Sequence, residues 1–283
     1  MSKQQQARMG TLYEEHVLLG AKLEPSEDGG DIRAMSYPSE SAELDPGKAN
    51  LADLTGSSYY LVSGKHAHEL MEAGFCSNKL QVGKCAWMAS LTAEGALTSI
   101  PLVVRTGNDE YALIDPSARG EVAPAWLGFL AGIEQNGFAP YEGTKLEDAT
   151  RMLVPLLMAG NSARTVLSDY VEHPRDLPQP GEVKDLKLDK IGCVVAGVPV
   201  PGTSLPVFLV LVPPARARIL WRSFLSFEQV APLGAENLTR AEKYLLPWGD
   251  LLSETNQVKP SKEQLTQWVL LRAEQDFVGA RSL

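Results

Sequence analysis

The spacing of hydrophobic positions changes along the chain, and the changes mark its elements. Thr11 to Ala21 carries Leu12, His16, Leu19 and Gly20 at helix-like spacing, which predicts a short helix after a frayed start over residues 1–10. Residues 24–50 are rich in Glu, Asp, Ser, Gly and Pro and read as loop with at most one short strand. At Tyr59, Tyr60, Leu61 and Val62 the residues turn aromatic and aliphatic, which predicts a strand. Gly64 breaks it, and His66 to Ala73 reads as a helix. Ala86 to Leu91 and Thr98 to Arg105 read as consecutive strands, with Ala93, Glu94 and Gly95 as a hairpin turn. Glu110 to Ile114 is a third strand. Ala125 to Gln135 reads as a helix with Trp126, Leu127, Leu130 and Ile133 on one face.

A second cycle begins at Thr150. Met152 to Met158 is an apolar strand, Gly160 breaks it, and Ala163 to Val171 is a helix. Cys193 to Val200 and Val207 to Val212 are strands joined by the turn at Pro201, Gly202, Thr203 and Ser204, and Pro214 to Phe227 is a helix. Strand, turn, helix, strands and helix thus occur twice. Gly64-x-x-Ala67-x-x-Leu70 and Gly160-x-x-Ala163-x-x-Val166 echo each other at the start of each cycle. Glycine permits a tight strand-to-helix turn, and alanine lets the helix pack close to the sheet. The pattern predicts a mixed α+β fold with mostly antiparallel strands and an internal duplication.

A length of 283 residues suits one large domain or two intimate subdomains. The hydrophobic share of 44% and charged share of 22% are those of a globular protein with a sizeable core. The net charge of −9 repels phosphate backbones, so nucleic acid is not an expected partner. Cys76, Cys85 and Cys193 match no CxxC or zinc pattern, and so sparse a set suits a reducing compartment. The N-terminus has no apolar signal core, and the longest apolar runs are too short to cross a bilayer, so a cytoplasmic protein without membrane partners is expected. His66 and His68 fall on different helix faces and make a poor metal pair, and His16 and His173 are isolated in sequence. GxGxxG, Walker A and Gly-x-Ser-x-Gly motifs are absent.

Several segments in order carry a resemblance to one family. They are Thr11-Leu12-Tyr13-Glu14-Glu15-His16 with Leu19-Gly20-Ala21-Lys22, then Leu61-Val62-Ser63-Gly64, then Asn78-x-Leu80-x-Val82-Gly83 with Leu91-x-x-Glu94-Gly95. Gly160-Asn161-Ser162-Ala163, Val195 to Val200, Ala235 to Glu242, and Trp268-Val269 with Asp276-Phe277-Val278-Gly279 continue the series. Together they resemble the folate-binding core of the glycine cleavage T-protein (aminomethyltransferase) superfamily. That resemblance implies two intertwined, mostly antiparallel sheet-plus-helix subdomains around a central pocket, approximately residues 51–140, and 1–50 with 141–283. It also implies tetrahydrofolate as the cofactor. The family's additional C-terminal β-barrel would begin where this chain stops.

The resemblance also locates a loss. The family carries an aspartate after the Glu-Gly hairpin, facing the reactive nitrogens of tetrahydrofolate, where a negative charge stabilises developing positive charge. Here Ser99 or Ile100 falls at that place, neither carries charge at neutral pH, and no carboxylate follows in sequence until Asp109. The catalytic residue is therefore unassigned. Glu242 matches the glutamate that holds the pterin, since a carboxylate accepts two parallel N–H bonds from a 2-amino-4-oxo pyrimidine edge. It also reads as a solvated helix residue. Asp115 stands near a family asparagine that approaches the pterin, and Asp115-Pro116-Ser117 also reads simply as a turn. Ser99 is able to hydrogen-bond a ligand without acting as a useful base. The family's Arg-Thr-Gly-Tyr-Thr-Gly-Glu segment is replaced by the short Pro201 to Pro206 loop.

These features predict a tetrahydrofolate-binding protein related to one-carbon transferases. If active, it would move a methyl or aminomethyl group to the folate. The alternative is a non-catalytic binding or assembly module of the same fold, with a different ligand or a partner subunit. A homodimer, a separate barrel subunit and a carrier subunit are the partner alternatives.

Overall fold

The computed structural model describes residues 7–26, 30–41, 43–251 and 258–283. The chain divides into two compact units, Met1–Gly56 with Thr150–Leu245, and Ser57–Ala149 with Leu246–Leu283. The first unit opens with α1 (Tyr13–Leu18), β1 (Lys22–Pro25), β2 (Ile32–Ser36) and β3 (Ala49–Asp53). The second contains β4 (Ser58–Ser63), α2 (Ala67–Gly74), β5 (Lys84–Trp87), β6 (Ser90–Leu91), β7 (Leu97–Ser99), β8 (Leu102–Gly107), β9 (Glu110–Asp115), α3 (Val122–Ala131) and β10 (Lys145–Asp148). The chain returns to the first unit with β11 (Val154–Ala159), α4 (Ala163–Ser168), β12 (Val183–Leu188), β13 (Ile191–Gly197), β14 (Val207–Val212), α5 (Pro214–Leu225), β15 (Val230–Pro232) and α6 (Ala235–Leu245). Helix α7 (Lys262–Gln267) belongs to the second.

The mixed α+β class with mostly antiparallel strands is the one observed. The first unit's main sheet has the order β12-β13-β14-β11-β3-β15, and the second unit's has the order β10-β4-β9-β8-β5. Every ladder in them is antiparallel except β15 on β3. Strands β11, β14, β13 and β12 follow one another as β4, β9, β8 and β5 do, which is the duplication written in topology.

The two echoing turns are alike in detail. Gly64 has φ +105° and Gly160 has φ +128°, a region that favours glycine. A Cβ on Gly64 would collide with the Gly143 carbonyl, and one on Gly160 with the Lys48 carbonyl. The Ala67 N–H donates to the Gly64 carbonyl at 3.0 Å, and the Ala163 N–H to that of Gly160 at 2.9 Å. Both alanines are fully buried, as are Leu70 and Val166 one turn later.

Each unit has its own core. In the first, α4 and α5 lay Val166, Leu167, Leu220, Trp221 and Phe224 on Leu156, Met158, Val195, Phe208 and Val210. In the second, α2 and α3 bring Leu70, Met71, Phe75, Leu127 and Leu130 onto Val62, Val103, Tyr111 and Leu113. Burying each large side chain contributes about 1.5–3 kcal/mol, which is why these helices form despite modest length. No helix among the described residues is long and apolar enough to cross a membrane.

The structure corrects several boundaries. Of the expected frayed start, residues 1–6 lie outside the described residues, and Arg8 is already paired with the Gly30 to Ile32 segment. Residues 24–50 hold half of β1, all of β2 and part of β3 rather than one strand at most. β1 and β2 form a half-buried ribbon whose stability comes from backbone pairing, so it leaves little hydrophobic periodicity. The predicted hairpin strands are each broken, because Pro101 lacks the N–H needed to continue a ladder. β6 pairs with β7 next to the turn, where Gly95 has φ +77°, and β5 pairs with β8 beyond the break. Helix α3 starts earlier and ends earlier than predicted, with Pro124 in its first turn, where a missing N–H is tolerated. Its buried face is Ala123, Pro124, Leu127 and Leu130, while Ile133 lies beyond its end and is exposed.

The C-terminal segment is grouped differently from the expected subdomain of residues 1–50 with 141–283. The reason is a set of backbone ties within the second unit. The Arg272 N–H donates to the Cys76 carbonyl at 2.8 Å, Val278 to Ala73 at 2.8 Å and Leu97 to Val258 at 2.8 Å. The Arg272 guanidinium donates to the carbonyls of Phe75 (2.6 Å), Glu72 (2.7 Å) and Ser77 (3.2 Å), and to Asp276.

Candidate functional site

The predicted site residues fall on both units. Ser99 ends β7 and Asp115 ends β9, both in the second unit, and Glu242 lies in the last half of α6 in the first. The structure brings Ser99 and Asp115 together. The Ser99 hydroxyl donates a short hydrogen bond to Asp115 Oδ2, and the Ser117 N–H donates to Oδ1 at 2.9 Å. Ser99 is fully buried and Asp115 is 3% exposed. The carboxyl that Ser99 meets comes from β9, sixteen positions along the chain.

Local sequence makes this geometry. Asp115 closes an Asx-type turn onto Ser117, the turn that Asp115-Pro116-Ser117 predicts. Gly120 then lets the loop fold back: a Cβ there would stand 2.7 Å from the Asp115 carbonyl oxygen and 2.8 Å from Ser58 Cβ. Ser58 is in turn the cross-strand partner of Asp115. Arg119 sends its guanidinium inward, with Nε donating to the Thr98 carbonyl at 2.8 Å and Nη2 to that of Leu97 at 2.6 Å. It fixes the two residues before Ser99.

Burial raises the Asp115 carboxyl above its ordinary value, against hydrogen bonds from Ser117 and Ser99 that pull it down. Burial also lowers the Arg119 guanidinium, while the Asp115 charge raises it. The result is a dry carboxyl with a raised affinity for a proton, oriented by two serines. Because its own hydrogen goes to Asp115, the Ser99 oxygen retains lone pairs for accepting. Ser90, directly across the ribbon from Ser99, has a buried hydroxyl oxygen without a hydrogen-bond partner among the described residues. The same holds for Ser57, next to Ser58. Buried hydroxyls in native structures are ordinarily paired, so these two retain unused hydrogen-bonding capacity.

Glu242 is half-buried on α6, next to buried Ala241 and one turn beyond Leu238, which seat the helix on the first unit. Gly234, just before α6, packs so tightly on the Met35 carbonyl that any side chain would collide.

Sequence reading missed a second polar cluster, in the first unit. His16 is not isolated. Its Nε2 lies 3.0 Å from Asp53 Oδ2 and its Nδ1 2.9 Å from the Tyr37 hydroxyl. A carboxylate only accepts, so Nε2–H donates to Asp53 and Tyr37 donates to Nδ1 in the neutral imidazole. Burial and the Asp53 charge push the Tyr37 hydroxyl up, which keeps it a donor. Trp221 meets the His16 ring edge-on at 5.2 Å. These residues join α1, the end of β2 and β3, three elements distant in sequence.

No family model matches the chain, and no curated protein matches it. Among solved structures it is similar to the glycine cleavage system aminomethyltransferase T from Bartonella henselae. The TM-score is 0.73 at 18% identity, covering 97% of this chain and 73% of that one. The chain has the fold of aminomethyltransferase T. A heterotetrameric sarcosine oxidase from Corynebacterium sp. U-96, in complex with pyrrole 2-carboxylate, also aligns, with a TM-score of 0.45 at 12% identity over 77% of this chain and 93% of that one. Within the aminomethyltransferase T fold, Ser99 and Asp115 hold adjoining ends of β7 and β9. An open groove of about 360 Å³ at the edge formed by β12 and β13, lined by Leu153, Asp185, Lys187 and Cys193, contains none of the predicted site residues.

Proposed function

We propose that this chain binds tetrahydrofolate, or a closely related pterin, and descends from the tetrahydrofolate-dependent one-carbon transferases. The observation that carries this reading is the buried Ser99–Asp115 pair on the aminomethyltransferase T fold. In this reading Asp115 offers a carboxyl beside Ser99, the residue at or next to the place of the family aspartate.

The residues fit such a ligand chemically. A pterin offers N–H donors along its pyrimidine edge, and the second unit offers acceptors in Asp115, Ser99 and the unpartnered hydroxyls of Ser57 and Ser90. Tetrahydrofolate, when bound, supplies the nitrogen that takes up a one-carbon unit. Glu242, on the first unit, is able by itself to accept the two parallel N–H bonds of a pyrimidine edge. Ser99, on the second unit and held by Asp115, is able to accept a hydrogen bond from the ligand. Asp115 holds or takes up a proton, a task that its raised proton affinity suits better than that of an exposed aspartate. Arg119 keeps β7 in place while this happens.

Calorimetric titration with tetrahydrofolate tests the reading. The parent is expected to bind, and Glu242→Ala and Asp115→Asn each to weaken binding by about tenfold or more, the equivalent of about 1.4 kcal/mol. Absence of binding by the parent sinks the folate proposal. Binding untouched by Glu242→Ala sinks the role proposed for Glu242. Turnover of a methyl donor by the parent, lost in Asp115→Asn, separates a transferase from a non-catalytic module of the same fold.

A further inference from the structure

Helix α3 buries one face and turns to solvent another that carries no polar side chain. The buried face packs on α2, where a Cβ on Gly74 would stand 2.4 Å from the end of the Leu127 side chain. The outer face has two parts. Val122, Trp126, Phe129 and Ile133 form a ridge in which Val122 is 41%, Phe129 63% and Ile133 38% exposed. Trp126 and Phe129 stack at 5.3 Å. Ala125, Gly128 and Gly132 form a shallow furrow beside it. Just beyond, Asn136 and Gly137 adopt φ +55° and +76° in a tight hairpin turn that presents Phe138 at 69% exposure. A surface helix normally turns its charged residues outward, and a contiguous apolar patch of this kind marks an interaction site.

The furrow gives the second observation. Glycine inside a helix destabilises it, so its presence calls for a cause. A Cβ on Gly128 would meet nothing within 4 Å, so packing within this chain does not require the glycine. A furrow of small residues beside a ridge of large ones is the surface on which a second helix makes close backbone approach.

Charge selects the occupant. From Gly120 to Thr144 the only charged side chains are Glu121, Glu134 and Glu142, all exposed, with no Lys or Arg. We propose that this face of α3 docks an apolar helix of a partner protein flanked by Lys or Arg. A second copy would bring the same carboxylates, on a chain with a net charge of −9. An anionic bilayer would be repelled in the same way. The inference is independent of the folate reading.

The probe is an amphipathic Leu/Lys helical peptide, with its Leu/Glu counterpart as control, followed by hydrogen exchange on the full chain. The Leu/Lys peptide is expected to bind and protect residues 121–138. Phe129→Glu and Gly128→Leu are each expected to weaken that binding by about tenfold or more. Phe129→Glu adds negative charge, so binding driven by net charge alone would strengthen, and that result overturns the proposal. Equal binding of the Leu/Glu peptide, or protection elsewhere only, also overturns it. So does a dimer of the protein alone that Phe129→Glu dissociates, which would make the occupant a second copy. Uptake onto neutral phosphatidylcholine vesicles that Phe129→Glu abolishes overturns it in favour of a lipid surface. Gly128→Leu adds its side chain in open space and is expected to melt no lower than the parent, which keeps the test readable if Phe129→Glu fails to fold.

Discussion

Asp115 shows what one residue costs and offers here. Its carboxyl sits dry among serines and binds a proton more tightly in the folded chain than in the unfolded one. Its contribution to stability is therefore full below the ordinary value of 3.8 and is lost as pH rises through the elevated native value. Once ionised, the buried group is a liability to stability. Asp115→Asn should accordingly raise stability by about 1 kcal/mol at pH values where the parent carboxyl is ionised, the usual gain from relieving such a compromise. Urea unfolding midpoints of parent and variant should diverge in the variant's favour as pH rises and converge as pH falls toward 3.8. A variant whose advantage does not grow with pH would contradict this account. Ser99 and Asp115 were each singled out by sequence as candidates. Their contact was not legible, because it depends on where β7 and β9 end.

At the scale of elements, the strongest local signals gave the right structure. The Gly-x-x-Ala turns at Gly64 and Gly160 were readable because backbone at positive φ, crowded by carbonyls, admits only glycine. β14 was readable residue by residue because all six of its positions are buried. β1 and β2 were not, since a half-buried ribbon leaves no periodic trace. The outward face of α3 was misread because apolar residues surround that helix, and spacing alone does not say which side is buried. The C-terminal segment depends on one side chain: the Arg272 side chain is 1% exposed and donates to three carbonyls and Asp276. Arg272→Ala would strand those carbonyls and should destabilise the protein by roughly 3 kcal/mol. Arg272→Lys should recover only part of that, since an ammonium lacks the guanidinium fork. Thermal melts of the three proteins check the order. Lys79, chiefly, and Arg272 hold the exposed Asp276 carboxyl down to about 2, so this tie persists until strongly acid pH.

For the whole molecule, charge is the property that sequence sets most directly. With a net charge of −9 and a pI near 5.1, the protein should be least soluble near pH 5.1 and should not retard duplex DNA on a gel at physiological salt. A turbidity titration and a gel-shift assay check the two. The sequence by itself determined the α+β class, the repeated strand–turn–helix cycle, the glycine turns and the identity of Ser99, Asp115 and Glu242 as residues of interest. These follow from local physics: side-chain period, backbone sterics and residue chemistry. Only the tertiary structure decided that Asp115 lies against Ser99, that His16 meets Tyr37 and Asp53, and that the C-terminal segment belongs with residues 57–149. It alone also decided that the apolar face of α3 stands in solvent. Each of those depends on strand register or on contacts between residues far apart in the chain, which hydrophobic spacing does not encode.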